Sequence, residues 1–86
     1  MQTRIALIGI MVEDMEATER INALLHDYSR FIVGRMGIPY RERGLSIISV
    51  VMDAPAGEIS TLSGRLGQIR GVSVKVIYNK QKEVDA

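Results

Sequence analysis

Apolar positions recur along the chain with two different periods, and each change of period marks a new element. Arg4 to Val12 (RIALIGIMV) is a short run rich in isoleucine, ended abruptly by Glu13 and Asp14. Its length and β-branched content predict a buried strand. Ala17, Ile21, Leu24, Leu25 and Tyr28 then follow at spacings of four, three, one and three, the stripe of an amphipathic helix. Asp14 is placed to cap that helix, with Glu16 facing the positive end of its dipole. Weak alternation over residues 31–36 predicts a second strand, and LSIISVVM over residues 45–52 a stronger third one. Asp53, Ala54 and Pro55 should end it, because proline has no amide hydrogen for the ladder. Ile59, Leu62, Leu66 and Ile69 return to helical spacing, so a second helix is expected from near Pro55 to about Leu66, with Gly67 as its stop. Val72 to Tyr78 alternates valine and tyrosine with Ser73 and Lys75, the pattern of a half-buried edge strand.

The order strand, helix, strand, strand, helix, strand predicts an α+β fold, the ferredoxin-like βαββαβ two-layer sandwich with two helices on one face of a four-stranded sheet. Right-handed crossovers put the first and third strands in the centre. One domain is expected over residues 1–80, followed by a polar tail at 81–86. Both central strands are apolar on both faces. Ile5 and Leu7 oppose Ile8, Ile10 and Val12, while Ile47 and Val51 oppose Ile48, Val50 and Met52. Two helices cover only one face. Leaving four or five aliphatic side chains in water forfeits on the order of 10 kcal/mol, at roughly 1.5–3 kcal/mol each. That is comparable with a small domain's entire stability of roughly 5–15 kcal/mol. A homodimer or homotetramer is therefore expected.

Charge and composition narrow the function. Eleven Lys and Arg against ten Asp and Glu leave a net charge of +1, which makes no electrostatic case for nucleic acid or an acidic membrane. The chain has no cysteine, so disulfides, thiolate metal sites and a cysteine nucleophile are excluded. The N-terminal apolar run meets Glu13 and Asp14 instead of a small-residue cleavage site, and a cytoplasmic location is expected. His26 is the only histidine and falls on the polar side of its helix. No residues have metal-ligand spacing or form a recognisable acid, base and nucleophile set, so no catalytic group, metal or cofactor is expected. Gly9 in the first strand suggests a bulge or a close backbone approach. Gly64 in the second helix suggests close packing on the sheet or on a partner.

The stretch GRMGIPYRERG, residues 34–44, reads as the connection between the second and third strands. Gly37 and Gly44 permit positive backbone angles and Pro39 stiffens the turn. Arg35, Arg41 and Arg43 offer planar forks suited to carboxylate or phosphate. If the segment is extended, Arg41 and Arg43 point to one side and Glu42 to the other. The candidate ligand set is Arg35, Tyr40, Arg41, Glu42 and Arg43, with Glu13 from the turn after the first strand. The same arginines would also serve an acidic protein surface or salt bridges between subunits.

The chain resembles the iron-only hydrogenase system regulators, small ACT-like proteins, through RIALIGIMVED, LLHDY, IVGRMGIPYRERG, SIISVV and LSGRLGQIRGVSVK. GRMGIPYRERG is the most specific of these. The resemblance implies the ferredoxin-like fold and a non-enzymatic regulatory role, with a small ligand bound at subunit interfaces near the first strand-to-helix turn. By position that turn is residues 12–15. The chain is also similar to the ligand-sensing domain of the nickel-responsive repressor, which assembles through its sheets. That repressor's nickel-binding histidines have no counterparts around residues 72–78. The chain also lacks a DNA-binding segment, so direct operator binding is not expected. The alternative is an interaction module without a ligand, docking on an enzyme or a transcription factor.

Overall fold

The computed structural model describes residues 2–80. Strand β1 is Arg4–Val12, as its apolar run predicts. Asp14 accepts a hydrogen bond from the Glu16 amide at 3.0 Å through Oδ1. This cap opens a short 3-10 turn, Met15–Ala17, which leads into helix α1, Thr18–Asp27. Strand β2 is Ile32–Tyr40, β3 is Leu45–Ala54, helix α2 is Ala56–Gly67 and β4 is Val72–Tyr78. All pairings are antiparallel and the strand order is β2-β3-β1-β4, with β1 and β3 central. The result is a small α+β domain compatible with the ferredoxin-like sandwich. The tail at 81–86 lies outside the described residues.

The two helices settle which sheet face is covered. Ala6, Ile8, Ile10 and Val12 of β1 and Ile48, Val50, Met52 and Ala54 of β3 form the buried side. Ile21 and Leu25 from α1, and Ile59, Leu62 and Leu66 from α2, close over them in one cluster. The opposite residues of β1, Ile5, Leu7 and Met11, remain 40–44% exposed. Arg4 lies with its guanidinium carbon 4.4 Å from the centre of the Tyr78 ring, joining the start of β1 to the end of β4.

The segment between the second and third strands differs from the sequence expectation. It is not a long connection: β2 continues through Gly34, Arg35, Met36, Gly37, Ile38 and Pro39 to Tyr40, paired against β3. Pro39 faces Ser46 in that ladder. Its missing amide hydrogen is tolerable because β2 is an edge strand, with one side of its backbone free of partners. The turn itself is only the 3-10 segment Arg41–Arg43, so these residues are not extended, and Gly44 completes it in the left-handed region at φ 61°. Gly37 has no positive φ.

Other glycines also depart from expectation. Gly9 pairs regularly with Ser49 and Lys75, and the bulge in the sheet falls instead between Ile32 and Gly34. Gly64 has no atom within 4 Å of where a Cβ would sit, so tight packing within the chain does not explain it. β3 runs two residues beyond the sequence estimate, to Ala54, before Pro55 starts α2. Gly67 is the last residue of α2, and the positive φ of 79° falls later, at Gly71.

Gly71 is where the two halves of the domain meet. Its carbonyl accepts the Glu13 amide hydrogen at 2.8 Å. A Cβ there would lie 2.6 Å from the Asp14 Cβ and 3.2 Å from the Asp14 nitrogen. Gly44 has open space around the same position. Gly44→Ala should therefore cost only its left-handed backbone, about 1–2 kcal/mol. Gly71→Ala should cost more than Gly44→Ala, because the Asp14 turn must also shift. Urea unfolding of both variants measures the difference; equal losses would contradict the contact.

Candidate functional site

β2 is exposed at every position from Val33 to Tyr40. The helices cover β1, β3 and part of β4, and the helix side of β2 is left open beside α1. A cleft of about 250 Å³ results, lined by Val12 and Met15 from the β1–α1 turn, Thr18 and Asn22 from α1, and Arg35, Gly37, Ile38 and Pro39 from β2, with Ser46 and Ile48 behind. Pairing explains the selection. Arg35, Gly37 and Pro39 oppose Val50, Ile48 and Ser46 in register, and the alternation of the pleat turns all three towards the helices.

A hydrogen bond crosses the cleft. The Arg35 guanidinium donates to the Asn22 side-chain oxygen at 2.9 Å, while the Ser46 hydroxyl lies 3.8 Å from the Met15 sulfur. Arginine carries five N–H donors in a fixed fork. Holding one on Asn22 leaves others to meet an anion. On the far side of the Arg35–Asn22 bridge a second hollow is lined by Leu25, His26, Ser29 and Ile32 together with the same Asn22 and Arg35. The bridge thus sits in the middle of a groove running between α1 and β2.

The cleft has apolar walls, Val12, Ile48 and Pro39, and a small polar set, Thr18, Asn22, Ser46 and Arg35. Arg35 is the only ionisable side chain among these lining residues. The arrangement suits a small molecule with one anionic group and a compact apolar part. Nothing on this list would hold a transition metal, and the described residues contain no group of three or more histidine, cysteine or acidic side chains placed to bind one.

The sequence candidates separate in space. Arg35 is in the cleft. Tyr40 ends β2 opposite Leu45 and, by the pleat, faces away from the helices. Arg41, Glu42 and Arg43 form the exposed hairpin turn. Glu13 is tied by its backbone to Gly71 and its side chain is exposed. None of these five lines the cleft. Residues 12–15 do contribute Val12 and Met15. Asn22, Thr18 and Ser46 were missed. Thr18 and Asn22 stand four apart beside the buried stripe of Ala17, Ile21 and Leu25, a spacing that puts two polar groups on the flank of a helix. Ser46 gave no such signal, since its place depends on the register of β2.

Fold and groove together define a small α+β domain with an open groove between a helix and an edge strand. The chain matches, over residues 4–76, the model of the TM1266-like family, described as "Iron-only hydrogenase system regulator, putative". It belongs to that family. Among solved structures it is similar to the uncharacterized protein TM1266 from Thermotoga maritima, with 39% identity and a TM-score of 0.88, covering 92% of this chain and all of that one. It is also similar to part of a formyltetrahydrofolate deformylase from Pseudomonas putida KT2440, at 16% identity and a TM-score of 0.63, covering 85% of this chain and 28% of that one. At that identity the second likeness concerns the fold alone. No curated protein matches the chain. No helix of the described residues is long and apolar enough to cross a membrane.

Gly37 offers a direct handle on the cleft. It lines the cavity, has no positive φ, and has nothing within 4 Å of a Cβ position. Gly37→Val should leave stability within about 1 kcal/mol of the parent, the span of strand propensities, while placing a branched side chain in the cleft. Thermal unfolding followed by circular dichroism checks this. A large loss would show that the space beside Gly37 is not open.

Proposed function

We propose that this chain is a non-enzymatic, ACT-like regulatory domain of an iron-only hydrogenase system, which senses a small anionic metabolite in the groove between α1 and β2. The observation that carries the reading is the Arg35 fork, held by Asn22 at 2.9 Å on the rim of an apolar cleft. A carboxylate or phosphate pairs with such a fork through charge-assisted hydrogen bonds, and Val12, Ile48 and Pro39 take the rest of the molecule. The family description supplies the regulatory context. No carboxylate, histidine or lysine lines the cleft beside Arg35, and this favours binding over acid–base chemistry.

Signalling follows from where the ligand would sit. It would touch α1, β2 and the β1–α1 turn together, so it favours conformations in which these three are closed on one another. The hairpin turn Arg41–Arg43 lies at the end of the same edge strand. Its two exposed arginines favour a second reading, in which the turn meets an acidic surface on an enzyme or transcription factor. The two readings are compatible if ligand in the groove alters how the hairpin is presented.

Native mass spectrometry of protein purified gently from cytosol tests the sensing reading. The expected result is a reproducible small-molecule adduct on the parent, lost in Arg35→Ala and in Gly37→Val and retained in the Arg41→Ala, Arg43→Ala double variant. An adduct lost only in the double variant would move the site to the hairpin. A parent without any adduct, together with an arginine-dependent pull-down, would favour the interaction reading.

A further inference from the structure

β2 lies at one edge of the sheet, and its outer backbone edge has no strand beside it among the described residues. Pro39 shows which groups point outward. It pairs with Ser46 inside an unbroken ladder, and a proline can hold that place only where its nitrogen is turned away from β3. Alternation then turns the backbone groups of Arg35 and Gly37 outward as well, while Met36, Ile38 and Tyr40 bond to β3. The open edge thus offers amide hydrogens at Arg35 and Gly37, and carbonyl oxygens at Arg35, Gly37 and Pro39.

Sheet edges are ordinarily blunted by bulges, prolines or charged side chains. On β4, the other edge, Lys75 stands at the middle of the strand. On β2 the bulge lies between Ile32 and Gly34 and the proline at the far end, so the two devices bracket the edge and leave its centre open. Arg35, the one charge on β2, is drawn towards α1 by its bond to Asn22. Nothing lies within 4 Å of a Cβ position at Gly37, which leaves room for a large side chain on a neighbouring strand. Charge is gathered here too. Residues 29–44 hold four arginines, Arg30, Arg35, Arg41 and Arg43, against one acid, Glu42, whereas the rest of the chain holds seven basic and nine acidic residues. A chain close to neutral overall carries its positive charge along β2 and the hairpin.

We propose that the outer edge of β2 receives an extended, acidic peptide segment of a partner protein, which joins the sheet as a fifth strand antiparallel to β2. Main-chain hydrogen bonds give such a contact its affinity, and alternate side chains give it specificity. The peptide residue opposite Gly37 lies on the helix side of the sheet and is large and apolar, covering the mouth of the cleft beside Pro39. Two residues further along, opposite Arg35, stands an acid that takes the free N–H groups of the guanidinium. Acidic residues at the N-terminal end of the peptide meet Arg41 and Arg43 at the turn. A second copy of this chain fits worse. Two β2 strands paired about Gly37 would set each Pro39 against the other's Arg35, losing a hydrogen bond at both places, and would bring two positive segments together. The proposal goes beyond a contact of the hairpin alone, because it assigns the partner's backbone to the edge of the sheet. It does not rest on the sensing role of the cleft, since the edge groups are open whether or not a metabolite is bound.

The probe is a synthetic peptide, Asp-Glu-Thr-Val-Thr-Leu-Thr-Glu-Thr, blocked at both ends. In the proposed register its leucine faces Gly37 and its second glutamate faces Arg35. Titrated into the isotope-labelled chain and followed by NMR, it should slow solvent exchange at the Arg35 and Gly37 amides at least about tenfold, because hydrogen-bonded amides are protected. Met36 and Ile38, already bonded to β3, should change little. Methylating the leucine and second glutamate nitrogens of the peptide should weaken binding at least about tenfold, since those donors face the edge. Methylating the threonine between them, whose amide points away, should not. Replacing the acids of the peptide by lysine should also weaken binding, most strongly at low salt. Arg35 and Gly37 amides already protected in the free chain would give the edge to a second copy and overturn the proposal. So would a peptide that does not bind, or one that binds equally well with the two methylated nitrogens, which would reduce the contact to charge alone. Amide protection is read with no metabolite present, so its failure leaves the adduct test of the cleft standing, and a missing adduct leaves the edge pairing standing.

Discussion

The structure depends on the alternation of two adjacent strands, β1 and β3. Ile8, Ile10 and Val12 on one and Ile48, Val50 and Met52 on the other turn the same way because their antiparallel register puts even-numbered residues opposite even-numbered ones. A slip by one residue would send either set to the other face. With that register in place, Ile21, Leu25, Ile59, Leu62 and Leu66 all find one apolar surface to close over. The rest of the architecture adjusts to this central pair. Two helices suffice to cover its buried side, and they leave β2 and the whole opposite face uncovered.

The open groove follows from that shortfall. β2 takes its pairing from β3 but little packing from the helices, so its helix-side residues remain exposed. The β1–α1 turn then fixes the near end of the groove. Glu13 is held to the Gly71 carbonyl, Asp14 caps the following turn, and Met15 is thereby carried towards Ser46. Gly71 permits this because its φ of 79° and missing side chain let the Asp14 turn lie against it. The end of one half of the domain thus positions the first strand-to-helix turn of the other.

Membership of the iron-only hydrogenase regulator family fits a domain with a groove on one side of its sheet and an apolar surface on the other. The two surfaces share β2 and β1, since alternate residues of each strand face opposite ways. Arg35 and Gly37 look into the groove while Met36 and Ile38 look outward. The two surfaces are therefore presented by the same stretch of backbone.

Much of this was legible in the sequence. The bounds of β1 and β4, both helices, the central place of β1 and β3, and an apolar character on both faces all follow from periodicity, because burial acts residue by residue. The extent of β2 did not. Gly34, Gly37 and Pro39 carry strong turn chemistry, and only pairing with a well-formed β3 keeps them extended on an edge where a missing amide costs little. The candidate site changed for the same reason. Arginines close together in sequence, Arg35, Arg41 and Arg43, form one cluster by spacing alone, but the strand carries Arg35 to the helix face and leaves the other two at the hairpin turn. Residue types and periods determined the elements and their apolar faces; only the tertiary structure could decide that Arg35 meets Asn22, because that contact joins a helix flank to an edge strand whose register is set by β3.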